Sequence, residues 1–197
     1  MVLPYAGQGR LTCRLSVSFA LRMIPVVAVA SVLSLTVGAR PTTGQSVTEP
    51  AAKAAFLLNF ARFTQWPVEA LLPGEPLTIC ASDRDVADAL EVTVRGREAG
   101  NRAVAARRIH IDGPYGDCDV LYVTRLDKRR AARLLESVLG APVLTVSDEA
   151  GFAGWGGDIE LFIEDGRMGF LVNRKAAERV GVRLSSRLLG LARFWKD

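Results

Sequence analysis

The chain has 197 residues, 49% of them hydrophobic and 23% charged, with a formal net charge of +4, and it carries no repeat, coiled coil or low-complexity tract. The basic excess belongs to the amino-terminal segment. Arg10, Arg14 and Arg22 lie in residues 1–39 with no acid beside them, so without that segment the 25 basic residues become 22 against 21 acidic ones, and such a chain has no concentrated basic face with which to hold nucleic acid.

Those arginines precede residues 23–39, an uncharged apolar stretch ending in Val37-Gly38-Ala39. Charged leader, apolar run and small-residue end are the pattern of a cleavable export signal. Pro25 and the Ser, Thr and Gly content make the stretch a poor membrane anchor, and it is short for a spanning helix. We therefore expect a signal peptide over 1–39, cut after Ala39 or nearer Gln45, a linker over 40–49, and one domain over 50–197. Cys13 leaves with the signal. The two remaining cysteines, Cys80 and Cys118, would meet an oxidising compartment and join.

Residues 51–65 read as a helix, with Phe56, Leu57, Phe60 and Phe63 on one apolar stripe and Pro67 beyond its end. Residues 77–81 form a short apolar strand, after which Ser82 or Asp83 caps a helix whose inner face carries Val86 and Leu90. Strands follow over 103–111 and 118–124. Asp127 caps the clearest helix of the chain, with Ala131, Leu134, Leu135, Val138 and Leu139 inward and Gly140 and Pro142 ending it. Residues 143–146 make another buried strand. Beyond a glycine-rich loop, strands over 159–163 and 168–172 flank an Asp165-Gly166 hairpin turn. Asn173 then caps a helix, and Ser185 or Ser186 caps a last one that places Leu188, Leu189, Ala192 and Trp195 on one face. The pattern predicts a single-domain α/β fold: a mixed, largely parallel sheet flanked by helices, with a carboxy-terminal hairpin and helix.

Catalytic chemistry finds little support. His110 is the only histidine, which excludes a histidine-built metal site, and no G-x-S-x-G elbow accompanies it; no catalytic residue, metal or cofactor is expected. The loop 151–157 lacks the Lys-Ser/Thr ending of a phosphate-binding loop, so its glycines are read as serving backbone conformation and close packing. Phe152 and Trp155 in that loop, and then Trp66, are the candidate partner or ligand contacts. Lys53 and Asn59 border the stripe of the first helix and are read as structural polar groups, with Asn59 tying a neighbouring loop and Lys53 laying its stem over the core edge. Arg107-Arg108 and Lys128-Arg129-Arg130 are read as solvated faces.

Several segments in order resemble the YfiR family of bacterial periplasmic regulatory proteins: Lys53-Ala54-Ala55-Phe56 with Asn59-Phe60, Phe63 and Trp66-Pro67; Cys80; Cys118-Asp119-Val120-Leu121; residues 143–148 (VLTVSD); Gly156-Gly157; Phe170 with Asn173; and Ser185-Ser186-Arg187-Leu188-Leu189. The resemblance implies a periplasmic, non-enzymatic α/β domain that represses a membrane-bound diguanylate cyclase by binding its periplasmic region, and so restrains cyclic-di-GMP signalling and biofilm formation. It further implies an outer-membrane lipoprotein that sequesters the repressor, and self-association as a homodimer. No second cysteine pair stands around residues 147–157, so no redox switch is expected there. The alternatives consistent with the residues are a periplasmic small-molecule sensor with a pocket at the sheet edge and an exported hydrolase using His110. One geometric difficulty attends the disulfide: with simple register between parallel strands, Cys80 at one strand's exit and Cys118 at the other's entry are too far apart, since their Cα atoms must approach within about 7 Å. A stagger, or Cys118 lying ahead of its strand, removes the difficulty.

Overall fold

A computed structural model describes residues 47–70 and 73–195. The export signal over 1–39 and most of the 40–49 linker lie outside the described residues. Thr48 caps helix α1 (Glu49–Phe63), its hydroxyl accepting from the Ala51 N–H. Proline in the first turn suits a helix start because its missing N–H is not needed there. Ala54, Leu57, Leu58, Phe60 and Ala61 are buried, while Phe56 and Phe63 pack against the core edge. The chain leaves α1 through the short strand β1 (Thr64–Gln65).

Strand β2 (Leu77–Ala81) is followed by helix α2 (Arg84–Thr93), and of the two candidate caps it is Asp83 whose carboxylate accepts from the Val86 N–H at 3.1 Å. Then come β3 (Glu98–Ala99), β4 (Arg102–Arg108), β5 (Val120–Val123), helix α3 (Lys128–Ser137, capped by Asp127) and β6 (Leu144–Ser147). The hairpin is β7 (Ile159–Glu164) and β8 (Arg167–Val172). Asp165 and Gly166 both take positive φ, 50° and 71°, as a two-residue turn of matching twist requires. Asn173 caps α4 (Arg174–Arg179), and β9 (Arg183–Leu184), α5 (Ser186–Leu189) and β10 (Arg193–Phe194) complete the chain.

The main sheet runs β10-β8-β7-β6-β5-β2-β4-β3; β4, β2, β5, β6 and β7 are mutually parallel, β8 runs antiparallel to β7, and β10 lies parallel beside β8. A separate two-stranded pair joins β1 to β9. Alternation along the strands sends side chains to opposite faces. On one face Ile79, Val120, Tyr122, Leu144, Val146, Ile159, Leu161, Phe170 and Val172 meet α1 and α2. Phe56, Phe60 and Phe170 stack edge to face there, with ring centroids 5.1–6.0 Å apart. On the other face Cys80, Leu121 and Val123 meet Ala131, Leu134 and Val138 of the α3 segment, with Phe152. The predicted mixed α/β fold is the observed one.

Two expectations fail at the helices. Leu139 is 72% exposed rather than part of the α3 stripe, because the helix stops at Ser137 and the chain turns before Gly140 takes positive φ. The last helix is a single turn. Ser185 caps it by accepting from the Leu188 N–H, while Ser186 is its first, exposed residue. Arg193 and Phe194 then pair with Leu171 and Val172 of β8, since the open edge of β8 offers ladder hydrogen bonds that a longer helix would forgo.

Candidate functional site

Cys80 and Cys118 form a disulfide with Cα atoms 5.7 Å apart. The geometric difficulty is resolved in the second of the ways set out above: β5 begins at Val120, so Cys118 precedes its strand, and the Cys118 N–H donates to Tyr115 O in a turn. Asp119 fastens that turn to β2, donating its N–H to Thr78 O and accepting the Thr78 N–H on Oδ2 at 2.7 Å. The Arg107 guanidinium lies against the Cys118 sulfur at 3.4 Å and pairs with Asp117 at 2.8 Å. Arg108 pairs with Asp88. This basic pair is spent on local contacts.

At the carboxyl end of the sheet, Lys53 reaches from α1 to Asp148, just after β6, at 2.5 Å and to Glu49 at 2.7 Å. Lys53 is buried, so its role goes beyond laying an aliphatic stem over the core. Burial disfavours charge on both partners, but their hydrogen bond and opposite charges outweigh it: Lys53 titrates above its ordinary value and Asp148 below its own. Beside them, Tyr122 has its phenol pushed up by burial and then by Asp148. Asn59 is exposed and among the described residues makes no side-chain hydrogen bond, so it ties down no loop. Its position, one residue after buried Leu58, turns it to solvent.

The glycine-rich loop after β6 packs closely. A Cβ at Gly157 would stand 2.1 Å from the Phe152 ring, and one at Gly154 would stand 2.6 Å from the Trp195 ring. Phe152 is fully buried, so it presents no surface to a partner; glycines at its contacts let the ring sink into the core. Glu160 and Asn173 hold the loop from beneath. The Glu160 carboxylate accepts from the N–H groups of Gly151 and Ala153 at 3.1 and 3.0 Å. Asn173 donates to Ala153 O at 2.8 Å while its oxygen accepts from the Ala176 N–H, so it caps α4 and anchors the loop together. Asp158, 3% exposed, accepts from both the N–H and the hydroxyl of Thr145 at 2.7 and 2.6 Å. Burial raises its pKa to about 6 against the hydrogen bonds to Thr145 and the charge of Arg179. None of Glu160, Asp158 or Thr145 stood out in the sequence, because a polar residue inside a strand reads as solvent-facing until a loop folds over it.

Trp155 is half-buried and lines a groove of about 280 Å³ between α3 and α4, together with Leu135, Leu139, Asp158, Arg179 and Val180. Trp66 is half-buried against the large core, with its Nε1 unpartnered. The edge formed by Leu191, Phe194 and Trp195, exposed by 77%, 44% and 40%, adjoins the same loop through the Trp195–Gly154 contact. Adjacent Phe194-Trp195 beyond Gly190 was the signal for this surface, masked by reading the segment as helix. His110 lies beyond the end of β4, 77% exposed at its side chain, with Asp112 within reach at 3.5 Å.

The model of the family described as YfiR/HmsC-like matches residues 50–193. The chain belongs to the YfiR/HmsC-like family. Among the described residues no helix is long and apolar enough to cross a membrane. The YfiR/HmsC-like chain is also similar to a solved structure of a conserved domain protein from Vibrio cholerae O1 biovar El Tor str. N16961, at 11% identity and a TM-score of 0.45, covering 75% of this chain and 60% of that one.

Proposed function

We propose that this protein is exported by its amino-terminal segment and represses a membrane-bound diguanylate cyclase by binding the cyclase's periplasmic region, which lowers cyclic-di-GMP and restrains biofilm formation. The observation that carries the reading is the family match over residues 50–193, essentially the whole folded unit. A regulator of this kind acts by binding one state of its target better than another, so what it needs is a rigid surface rather than a reacting group. The loop held by Glu160 and Asn173, with Trp155 and the Leu191–Phe194–Trp195 edge around it, suits that requirement: half-exposed aromatics on an ordered support are the side chains that anchor protein interfaces. Trp66 is a second contact point of the same kind. Relief of repression comes from an outer-membrane lipoprotein that sequesters the repressor, and the protein self-associates as a homodimer.

Deleting the gene and measuring cellular cyclic-di-GMP tests the reading. The expected result is a rise that returns to baseline when the wild-type gene is restored. An unchanged level in cells shown to express the cognate cyclase rules repression out.

A further inference from the structure

The order of strands places a second feature far from the aromatic edge. From β2 the chain crosses through α2, on the large-core face, to β4 on one side. It then returns to β5 on β2's other side and crosses through α3, on the opposite face, to β6. The connections thus diverge between β2 and β5. In open α/β sheets that divergence leaves a crevice beyond the carboxyl ends of the strands, where no connecting segment fills the space and where such folds take their ligands. Here the crevice is a cavity of about 510 Å³ lined by Ser82 and Asp83 after β2, Arg84 and Asp85 at the start of α2, residues 109–111 after β4, Thr124 and Arg125 after β5, and Arg130 of α3.

Three arginines, Arg84, Arg125 and Arg130, line this cavity. Arg84 and Arg125 are 80% and 85% exposed at their side chains. Among the described residues Arg125 is also one of two non-glycine residues with positive φ, 58°, a backbone conformation that costs energy and is concentrated at functional sites. The Ser82 hydroxyl is buried and makes no hydrogen bond, although buried polar atoms are almost always paired. Its N–H is already used on Tyr122 O. The acids there are partly committed. Asp83 accepts from the Val86 N–H and pairs with Arg125 at 3.3 Å, while Asp85 stands on the exposed first turn of α2.

We propose that the crevice between β2 and β5 binds a small phosphate-bearing molecule, with Arg125 and Arg130 pairing the phosphate oxygens. Guanidinium forks match phosphate oxygens in pairs, and a cavity of about 510 Å³ leaves room for an organic portion beyond the phosphate. Asp83 and Asp85 border the same space, so the site disfavours a highly charged polyphosphate and suits a monoester. The proposal does not rest on repression of a cyclase.

The test is a titration of the isotope-labelled full protein with inorganic phosphate in one arm and glycerol 3-phosphate in the other, each against sodium chloride at equal ionic strength, followed by amide chemical shifts. The expected result is saturable shifts at residues 82–86 and 124–130, with glycerol 3-phosphate the tighter ligand if the organic portion contributes, and inorganic phosphate at least its equal if the free anion is the ligand. Arg125→Gln combined with Arg130→Gln should weaken binding about tenfold or more without lowering the melting temperature. If that variant misfolds, Arg125→Gln alone provides the same comparison. Shifts that follow ionic strength alone, saturable shifts elsewhere on the molecule, or unchanged affinity in the folded variants overturn the proposal.

Discussion

The two faces of the sheet are stabilised by different means. Under α1 and α2 the strands meet a broad apolar layer whose largest buried members include Phe60, Leu57, Ile79, Leu90 and Tyr122. Under α3 the layer is smaller, and into it are set a disulfide and the buried polar groups Asp158, Glu160 and Thr145. Burial of apolar area needs only space and suitable side chains. A face with less area relies on a covalent link and hydrogen-bonded tethers, which are directional and answer to redox state and pH. The first face is therefore the platform, and the second carries the tethers of the loop around Trp155.

The largest effect expected is on the platform. Phe60→Ala removes a fully buried ring that contacts Phe56 and Phe170, and should cost about 3–5 kcal/mol in denaturant unfolding; a loss below about 1 kcal/mol would show that the apolar layer is not what holds this face. Next is the disulfide. Replacing Cys80 and Cys118 by alanine opens a link between residues 38 apart and should cost roughly 2–4 kcal/mol, with amide exchange rising in β5 and α3 before it rises in α1. Uniform acceleration across both faces would break the distinction.

The smallest effect is the most selective. Asp158 has its pKa raised to about 6 from 3.8, so the stability associated with its protonated form is fully present below about pH 4 and is lost as pH rises through about 6, a swing of at most roughly 3 kcal/mol. Asp158→Asn keeps an acceptor for Thr145 and carries no charge, so it should gain stability on wild type as pH rises from 4 to 7. The Lys53–Asp148 pair has the opposite sign: Asp148 is depressed, and its contribution is present above its ordinary value and lost as pH falls through the lower folded one. Melting temperatures followed from about pH 2 to about pH 7 should separate the two, and a difference between Asp158→Asn and wild type that does not change with pH would remove Asp158 from the account.

Much of this organisation was legible in residue order. Asp127, Asn173 and Ser185 announced helix starts because a short oxygen-bearing side chain satisfies N–H groups within three residues, and Asp165-Gly166 announced the hairpin for a similarly local reason. Leu139 was misplaced because its helix ends before it, Asn59 because it sits on the outer side of α1, and Phe152 because its surroundings come from distant segments. An apolar residue one turn too late faces solvent, and a phenylalanine among glycines sinks when those glycines admit it. The candidate surface followed the same rule. Trp155 could be singled out by type, but Phe194 and Trp195 join it only because the edge of β8 captures residues 193–194 as a strand.

Local signals, set by backbone sterics and hydrogen bonds within a few residues, determined the alternation of strands and helices, the caps and the turn, while the number of cysteines beyond the amino-terminal segment pointed to the candidate disulfide. Tertiary structure alone decided the register that brings Cys118 to Cys80, the pairing of Lys53 with Asp148, the buried tethers of the loop, and the crevice between β2 and β5. Each of these joins segments far apart in the chain, and which ones meet depends on how the sheet is ordered and which of its edges remain open.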